Sequence, residues 1–217
     1  MNKKAFIFDL DGVIVDTAKY HYLAWKDLAN ALGFDFSEEQ NEMLKGVSRV
    51  RSLEILLELG GVSLAQSSKD KYLKEKNEQY LSYIEKMDKS EILPGIEDLL
   101  SDLKTKGIPF ALGSASKNAR LILETLGILE DFDAIVDGND VSRAKPDPEV
   151  FLVAAERLGA TPAQCIVVED AQAGVEAANA AGMTSVGIGS EKVLGEAHFV
   201  LENTEKLDKE FIQKLID

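Results

Sequence analysis

Short, unbroken apolar runs alternate along this chain with stretches whose apolar residues recur every three or four positions. The runs are Ala5–Phe8, Pro109–Leu112, Ala134–Val136, Cys165–Val168 and Thr184–Ile188. A continuous apolar run bounded by polar residues fits a strand covered on both faces. Helical periodicity spans Ile96–Thr105, Leu121–Leu126, Pro148–Leu158 and Ala171–Ala181, and Gly107, Gly127, Gly159 and Gly182 follow them in turn. Glycine in that place is the expected left-handed helix stop. Strands alternating with helices predict an α/β fold built on a doubly wound parallel sheet.

One block departs from the alternation. From Asp16 to about Ser90 the pattern is helical throughout and offers no strand. Asp16 or Thr17 is placed to cap a helix carrying Leu23, Trp25, Leu28, Ala31 and Leu32, with a stop at Gly33. A long polar helix over Ser68–Met87 lines up Leu73, Tyr80, Ile84 and Met87, and Asn77 falls on the same face. This predicts two domains: an α/β core of residues 1–15 and 91–217, and a helical cap of residues 16–90 inserted after the first strand.

Charge narrows the partners. Among 217 residues, 38 acidic against 24 basic side chains give a net charge of −14. Such a surface argues against sequence-independent binding to nucleic acid or anionic lipid. Any anionic substrate must therefore be held by a local cluster of cations or by a metal. No window is apolar enough to span a bilayer, and MNKKAFIF lacks a secretory cleavage pattern. The single cysteine, Cys165, suits a reducing compartment and a place in the core, so a cytoplasmic protein is expected, with nothing that demands more than a monomer.

The polar residues of interest fall at the ends of the predicted strands, where open α/β sheets collect their ligands. Asp9 and Asp11 follow the first, Ser114 and Ser116 the second, Glu169 and Asp170 another, and Lys145 lies in the loop SRAKPDP beyond Ala134–Val136. Taken alone, Asp9 and Asp11 beside Gly12 also fit a turn or a helix cap. Four carboxylates brought together need a counter-ion, and hard oxygen donors favour Mg²⁺ over zinc. Lys45, Ser48, Arg49 and Arg51 around Gly46 form a cationic patch in the helical block. Ser116, Lys117 and Asn118 stand where a helix begins, and its unpaired N–H groups would favour an anion. Two anion-friendly patches besides the Asp9 site suggest a substrate with a second phosphate.

DLDGVIVDT matches the DxDGxxxD[ST] signature of the haloacid dehalogenase superfamily, and GSAS, Lys145 in AKPDP and VVEDAQAG resemble its later motifs, in order. The resemblance covers the whole chain. It implies that Asp9 is a nucleophile forming an aspartyl-phosphate and that Asp11 is the general acid and base. It implies Mg²⁺ held by Asp9, the Asp11 backbone, Asp170 and nearby Glu169, with Ser114, Ala115 and Lys145 on the transferring phosphate. TAKYHYLAWK, LKGVSR, KEKN and GSASKN further resemble the β-phosphoglucomutase branch. That branch interconverts β-glucose 1-phosphate and glucose 6-phosphate through glucose 1,6-bisphosphate, which also serves as activator. On this resemblance Arg49, Ser116, Lys117 and Asn118 hold the phosphate that is not reacting, and Lys76 and Asn77 contact the sugar or its phosphate. Thr17, His21, Trp25, Lys45, Gly46, Val47, Ser48 and Ser52 complete the cap side. Closure about hinges near Asp16–Thr17 and Ser90–Pro94 would exclude water.

Plainer readings exist for several of these residues. His21 fits a surface helix, Trp25 a cap core, and Asn77 a satisfied core amide. His198 has no partner suggested by sequence, Arg51 has no assigned role, and GIGS at 187–190 lacks the third glycine of a dinucleotide fingerprint. Two other functions compete with the mutase: a sugar-phosphate or phosphoglycolate phosphatase, which needs neither Arg49 nor Lys117, and a phosphate sensor, which would be expected to lose Asp9 or Asp11.

Overall fold

A computed structural model of the chain describes residues 4–217. Six parallel strands form one sheet: β1 Ala5–Phe8, β2 Phe110–Gly113, β3 Ala134–Val136, β4 Cys165–Glu169, β5 Thr184–Ile188 and β6 Phe199–Leu201. Their order is β3-β2-β1-β4-β5-β6, so the winding reverses between β1 and β4. β1 is central, pairing Phe6 with Phe110 on one side and with Ile166 on the other.

Strand alternation sends side chains to two separate cores. Phe6, Phe8, Phe110, Leu112, Ile166 and Val168 pack under α5 (Ile96–Lys106), α6 (Ala119–Thr125) and α10 (Lys209–Ile216). Ala5, Ile7, Ala111, Cys165 and Val167 pack under α7 (Glu149–Arg157) and α8 (Gln172–Ala180) on the opposite face. A short α9 (Glu191–Leu194) leads into β6. The five expected glycine stops all have positive φ, 63° to 72° for Gly107, Gly127, Gly159 and Gly182 and 91° for Gly33.

The predicted strands stand, with three adjustments. β2 lies one residue later than expected, β4 runs on to Glu169, and β6 is additional. Its apolar triplet Phe199-Val200-Leu201 is as short as β3 and lies half-buried on the sheet edge. Cys165 is buried, as expected.

Residues 16–90 contain helices and no strand: α1 Ala18–Ala31, α2 Glu38–Glu42, α3 Arg49–Gly60 and α4 Gln66–Ile84. They enclose a third core of Trp25, Leu28, Ala29, Phe36, Leu44, Leu53 and Leu56. Leu23 and Ala31, expected on the apolar face of α1, are exposed; Ala24 and Ala29 are buried instead. α4 starts two residues before the predicted Ser68 and ends three before Met87, which is nonetheless buried. Where the chain leaves and re-enters the sheet domain, Val15 bridges Ile92 in antiparallel fashion. The Asp16 N–H donates to the Glu91 carbonyl at 3.1 Å, and the Leu93 N–H to the Ile14 carbonyl at 3.0 Å.

Candidate active site

Because every strand is parallel, all carboxyl ends lie on one edge, and the β1/β4 reversal marks a crevice there. A cavity of about 400 Å³ occupies it, lined by strand-end residues and by the helical block. Asp9, Asp11, Ser114, Ala115, Lys145 and Asp170 line it from the sheet. His21, Trp25, Lys45, Gly46, Val47, Ser48, Arg49, Ser52, Lys76 and Asn77 line it from the helices, and Ser116, Lys117 and Asn118 from the loop after β2. Two of the predicted residues, Thr17 and Glu169, are wholly buried behind this wall.

Lys145 organises the sheet side. Its Nζ donates to Asp9 Oδ1 at 2.5 Å, to Glu169 Oε1 at 2.6 Å and to the Gly113 carbonyl at 3.0 Å. Burial alone would depress its pKa, but the two carboxylates overcome that and hold it above the usual lysine value. Burial raises the pKa of Glu169, and burial together with the nearby Glu169 raises that of Asp170. Asp9, Glu169 and Asp170 bring carboxylate oxygens within 4.8 Å of one another. An all-carboxylate donor set of this kind fits a small hard dication such as Mg²⁺. Two glycines keep the group compact. A Cβ on Gly12 would lie 2.2 Å from Asp170 Oδ2, and one on Gly174 would lie 1.8 Å from Glu169 Oε1. Gly12 and Gly174 are thus site residues that sequence reasoning quoted within motifs without giving them this task.

Asp11 turns away from that group. Its carboxylate accepts from the Thr17 hydroxyl, so Thr17 sits at the start of α1 without capping it by its side chain. Burial, and then the charge of Asp9, push Asp11 up to about 6. His21 Nε2 stands 3.9 Å from Asp11 Oδ1, while Nδ1 lies 2.9 Å from Lys76 Nζ. Burial, then the Lys76 charge, hold the imidazole well below its usual pKa; neutral and accepting at Nδ1, it carries its proton on Nε2. The ring stacks on Tyr80 with centroids 4.2 Å apart, so His21 is not a plain surface histidine.

Lys76 is the most buried cation of the helical block, at 3% exposure, and it lies over the rings of Trp25 and Tyr80 at 4.6 and 4.8 Å. Burial, then the Arg49 charge, bring it down to about 7, and burial also lowers Arg49. Trp25 belongs to the third core and also faces the cavity, so both readings of it hold. Asn77 is half-buried and accepts from Asn118 Nδ2 across the cleft at 2.9 Å. Lys45 pairs with Glu42 at 3.0 Å and reaches Asp170 at 3.5 Å. Gly46, at φ +70°, brings the loop before α3 against Ala171, where a Cβ would sit 2.8 Å away. Ser48 caps α3 by accepting from the Arg51 N–H, and Ser52 donates back to the Ser48 carbonyl.

The unpaired N–H groups expected around Asn118 are partly taken. The Asn118 N–H donates to Ser116 Oγ at 3.2 Å, and the Ser116 N–H to Ser114 Oγ at 3.1 Å. His198, for which the sequence named no partner, faces Ser185 Oγ at 2.8 Å and accepts from the Ser185 N–H, outside the cavity lining.

Known proteins share this architecture. The chain is 44% identical to the β-phosphoglucomutase of Bacillus subtilis over 97% of its own length and 94% of that protein's. It is 31% identical to a phosphorylated carbohydrates phosphatase of Thermotoga maritima over 90% of this chain and 86% of that one. A crystal structure of β-phosphoglucomutase from Clostridium difficile superposes with a TM-score of 0.94 at 46% identity, covering 100% of this chain and 97% of that one. Residues 3–182 match the family of haloacid dehalogenase-like hydrolases, and with the strand-end carboxylates and Lys145 in place, the chain belongs to that family.

Proposed function

We propose that this chain interconverts β-glucose 1-phosphate and glucose 6-phosphate, using Asp9 as the phosphoryl carrier and glucose 1,6-bisphosphate as intermediate and activator. One observation carries the reading: a single cavity is lined both by Asp9, Ser114 and Lys145 and by a second set of cations, Arg49 and Lys117. The second set suits a phosphate that stays bound while another reacts at Asp9. The 44% identity to the Bacillus subtilis mutase supports the same choice.

In this reading residues 1–15 and 91–217 form the catalytic core, and residues 16–90 the cap. Starting from phosphorylated Asp9, the 6-hydroxyl of β-glucose 1-phosphate attacks phosphorus, its proton passes to Asp11, and the bond from phosphorus to the Asp9 carboxylate breaks, giving the bisphosphate. Once the bisphosphate has turned round, an Asp9 carboxylate oxygen attacks the phosphorus on O1, the bond to that sugar oxygen breaks, and Asp11 gives the oxygen its proton, releasing glucose 6-phosphate and restoring the aspartyl-phosphate. Thr17 orients the Asp11 carboxylate, and His21 is held beside it by Lys76 and Tyr80. Lys145 and Ser114 neutralise and orient the transferring oxygens. Asp9, Glu169, Asp170 and the Asp11 carbonyl would hold Mg²⁺, which when bound supplies charge neutralisation on the phosphoryl group. Arg49, Ser116, Lys117 and Asn118 hold the remote phosphate, while Lys76 and Asn77 face the sugar. One chain supplies both phosphate sites, so a monomer suffices. Among the described residues no helix is long and apolar enough to cross a membrane, and a small-molecule sugar phosphate in the cytoplasm is the partner inferred.

The test supplies β-glucose 1-phosphate, Mg²⁺ and a trace of glucose 1,6-bisphosphate, and follows glucose 6-phosphate and free phosphate together. Rapid glucose 6-phosphate with little free phosphate is expected. Free phosphate without isomerised sugar would make the chain a phosphatase.

A further inference from the structure

The loop from β3 to α7 opens with Asp137-Gly138-Asn139-Asp140, none of which has a role in the reaction above. It nevertheless grips the loop after β2 at two carbonyls. The Gly138 N–H donates to the Ser116 carbonyl at 3.2 Å, and Asn139 Nδ2 donates to the Lys117 carbonyl at 3.1 Å. A Cβ on Gly138 would lie 2.4 Å from the Ala115 carbonyl oxygen, so this approach requires glycine.

The gripping loop is itself braced. Asp137, 1% exposed, accepts from the Asn139 N–H at 2.7 Å and pairs with Arg120 Nε at 3.1 Å. Asp140 accepts from the Asp137 N–H at 2.9 Å and pairs with Arg120 at 3.3 Å and Arg157 at 2.8 Å. Arg120 belongs to α6, the helix that continues directly from the gripped loop, so the two loops are tied at both levels.

Peptide geometry gives the grip its consequence. The C=O and N–H of a trans peptide point to opposite sides. Drawing the Ser116 and Lys117 carbonyls toward the β3–α7 loop therefore turns the N–H groups of Lys117 and Asn118 the other way. The Asn118 N–H meets Ser116 Oγ there, and the Asn118 side chain meets Asn77 of α4. The backbone from Ala115 to Asn118 is fixed before any ligand arrives.

We propose that Gly138 and Asn139 are positioning residues for the reaction, holding Ala115–Asn118 in the shape that receives the phosphate remote from Asp9. The inference rests on the mutase reading and adds Gly138, at the cavity wall, and Asn139, behind it, as residues that act through the loop they hold. Preorganisation of this kind is felt chiefly in binding, because it removes the ordering that the ligand would otherwise impose.

The experiment measures steady-state mutase kinetics against β-glucose 1-phosphate, with thermal melts, for the wild type and for Gly138→Ala, Asn139→Ala, Asn139→Asp and Lys117→Ala. Both Asn139 variants should raise KM roughly three- to tenfold, the range of one lost hydrogen bond, with kcat within about twofold. Aspartate keeps a turn-forming residue and removes the amide donor, so agreement of Asp with Ala separates the lost bond from a lost turn. Gly138→Ala should raise KM further; if it does not fold, the Asn139 pair decides. An Asn139→Asp variant with wild-type KM, or Asn139 variants that only melt lower, would overturn the inference. A raised KM in Lys117→Ala beside unchanged Asn139 variants would overturn it and leave the mutase reading standing. An unchanged KM in Lys117→Ala as well would remove the second phosphate site and the inference with it.

Discussion

Two buried lysines line the same cavity, and their surroundings are opposite. Lys145, on the sheet side, lies between the carboxylates of Asp9 and Glu169 and a backbone carbonyl, so its charge is matched within hydrogen-bond length. Lys76, on the helical side, has a neutral imidazole, two aromatic faces and the like charge of Arg49. Among the described residues neither Lys76 nor Arg49 has a carboxylate partner within 4.0 Å, and Asp11 offers Lys76 only a distant attraction. On the sheet side the lysine is matched by the protein alone, while the carboxylates of Asp9, Glu169 and Asp170 outnumber it and leave room for a dication. The helical side is short of an anion, which a sugar phosphate bound as proposed would supply.

The contrast breaks most sharply if one substitution is made in both places. Lys145→Met leaves two buried carboxylates without their cation and should cost about 3–5 kcal/mol of stability in urea titrations, along with nearly all turnover. Lys76→Met removes an unmatched charge and should instead stabilise the free protein at neutral pH. The same sign for both would end the comparison.

Arg49 sharpens it on the functional side. Arg49→Ala should lower mutase kcat/KM roughly a hundredfold, the scale of one charge-assisted contact, while sparing the slow loss of phosphate from phosphorylated Asp9. Equal loss of both activities would refute a division of labour between the cations. Arg51→Ala serves as the control, since that guanidinium pairs with Glu54 and Glu58 on the exposed face of α3.

The contrast also shows in pH dependence. The Lys76 pKa falls from 10.5 in the unfolded chain to about 7 in the fold. Between those values the unfolded chain binds the extra proton, so this residue makes stability rise with pH from about 7 toward 10.5. The penalty is full below pH 7. Urea titrations at pH 6, 8 and 10 should show the gain from Lys76→Met shrinking as pH rises. Its neighbours Arg49, Asp11, His21 and Tyr80 are present in both proteins and largely cancel in the comparison. A gain independent of pH would place the effect in packing rather than charge.

Much of this was legible in the sequence because the strands are apolar runs and the chemistry sits where they stop. The positions of Asp9, Ser114, Lys145 and Glu169 follow from parallel strands sharing one edge. Other features left less of a trace. β6 is an apolar triplet no longer than β3, half-buried at the sheet edge and easily passed over. Lys76 stands beside the apolar stripe of a largely polar helix, and its burial comes from α1 residues His21 and Trp25 closing over it together with Tyr80 one turn on. Leu23 and Ala31 fit an apolar periodicity, yet α1 turns a face centred on Ala24 and Leu28 inward. Gly138 looks like a turn residue until the Ala115 carbonyl is placed beside it.

The paired connectors at Val15 and Ile92 have a mechanical consequence. Two independent tethers would let the helical block twist, slide and rock. Pinned side by side by the bonds around Asp16, Glu91 and Leu93, they act as one narrow strap, braced at Glu91 by Lys19 and Tyr20. A swing of the block, as the proposed closure requires, would thereby be confined to one axis, and each return would bring Arg49, Lys76 and His21 to the strand ends in the same registration.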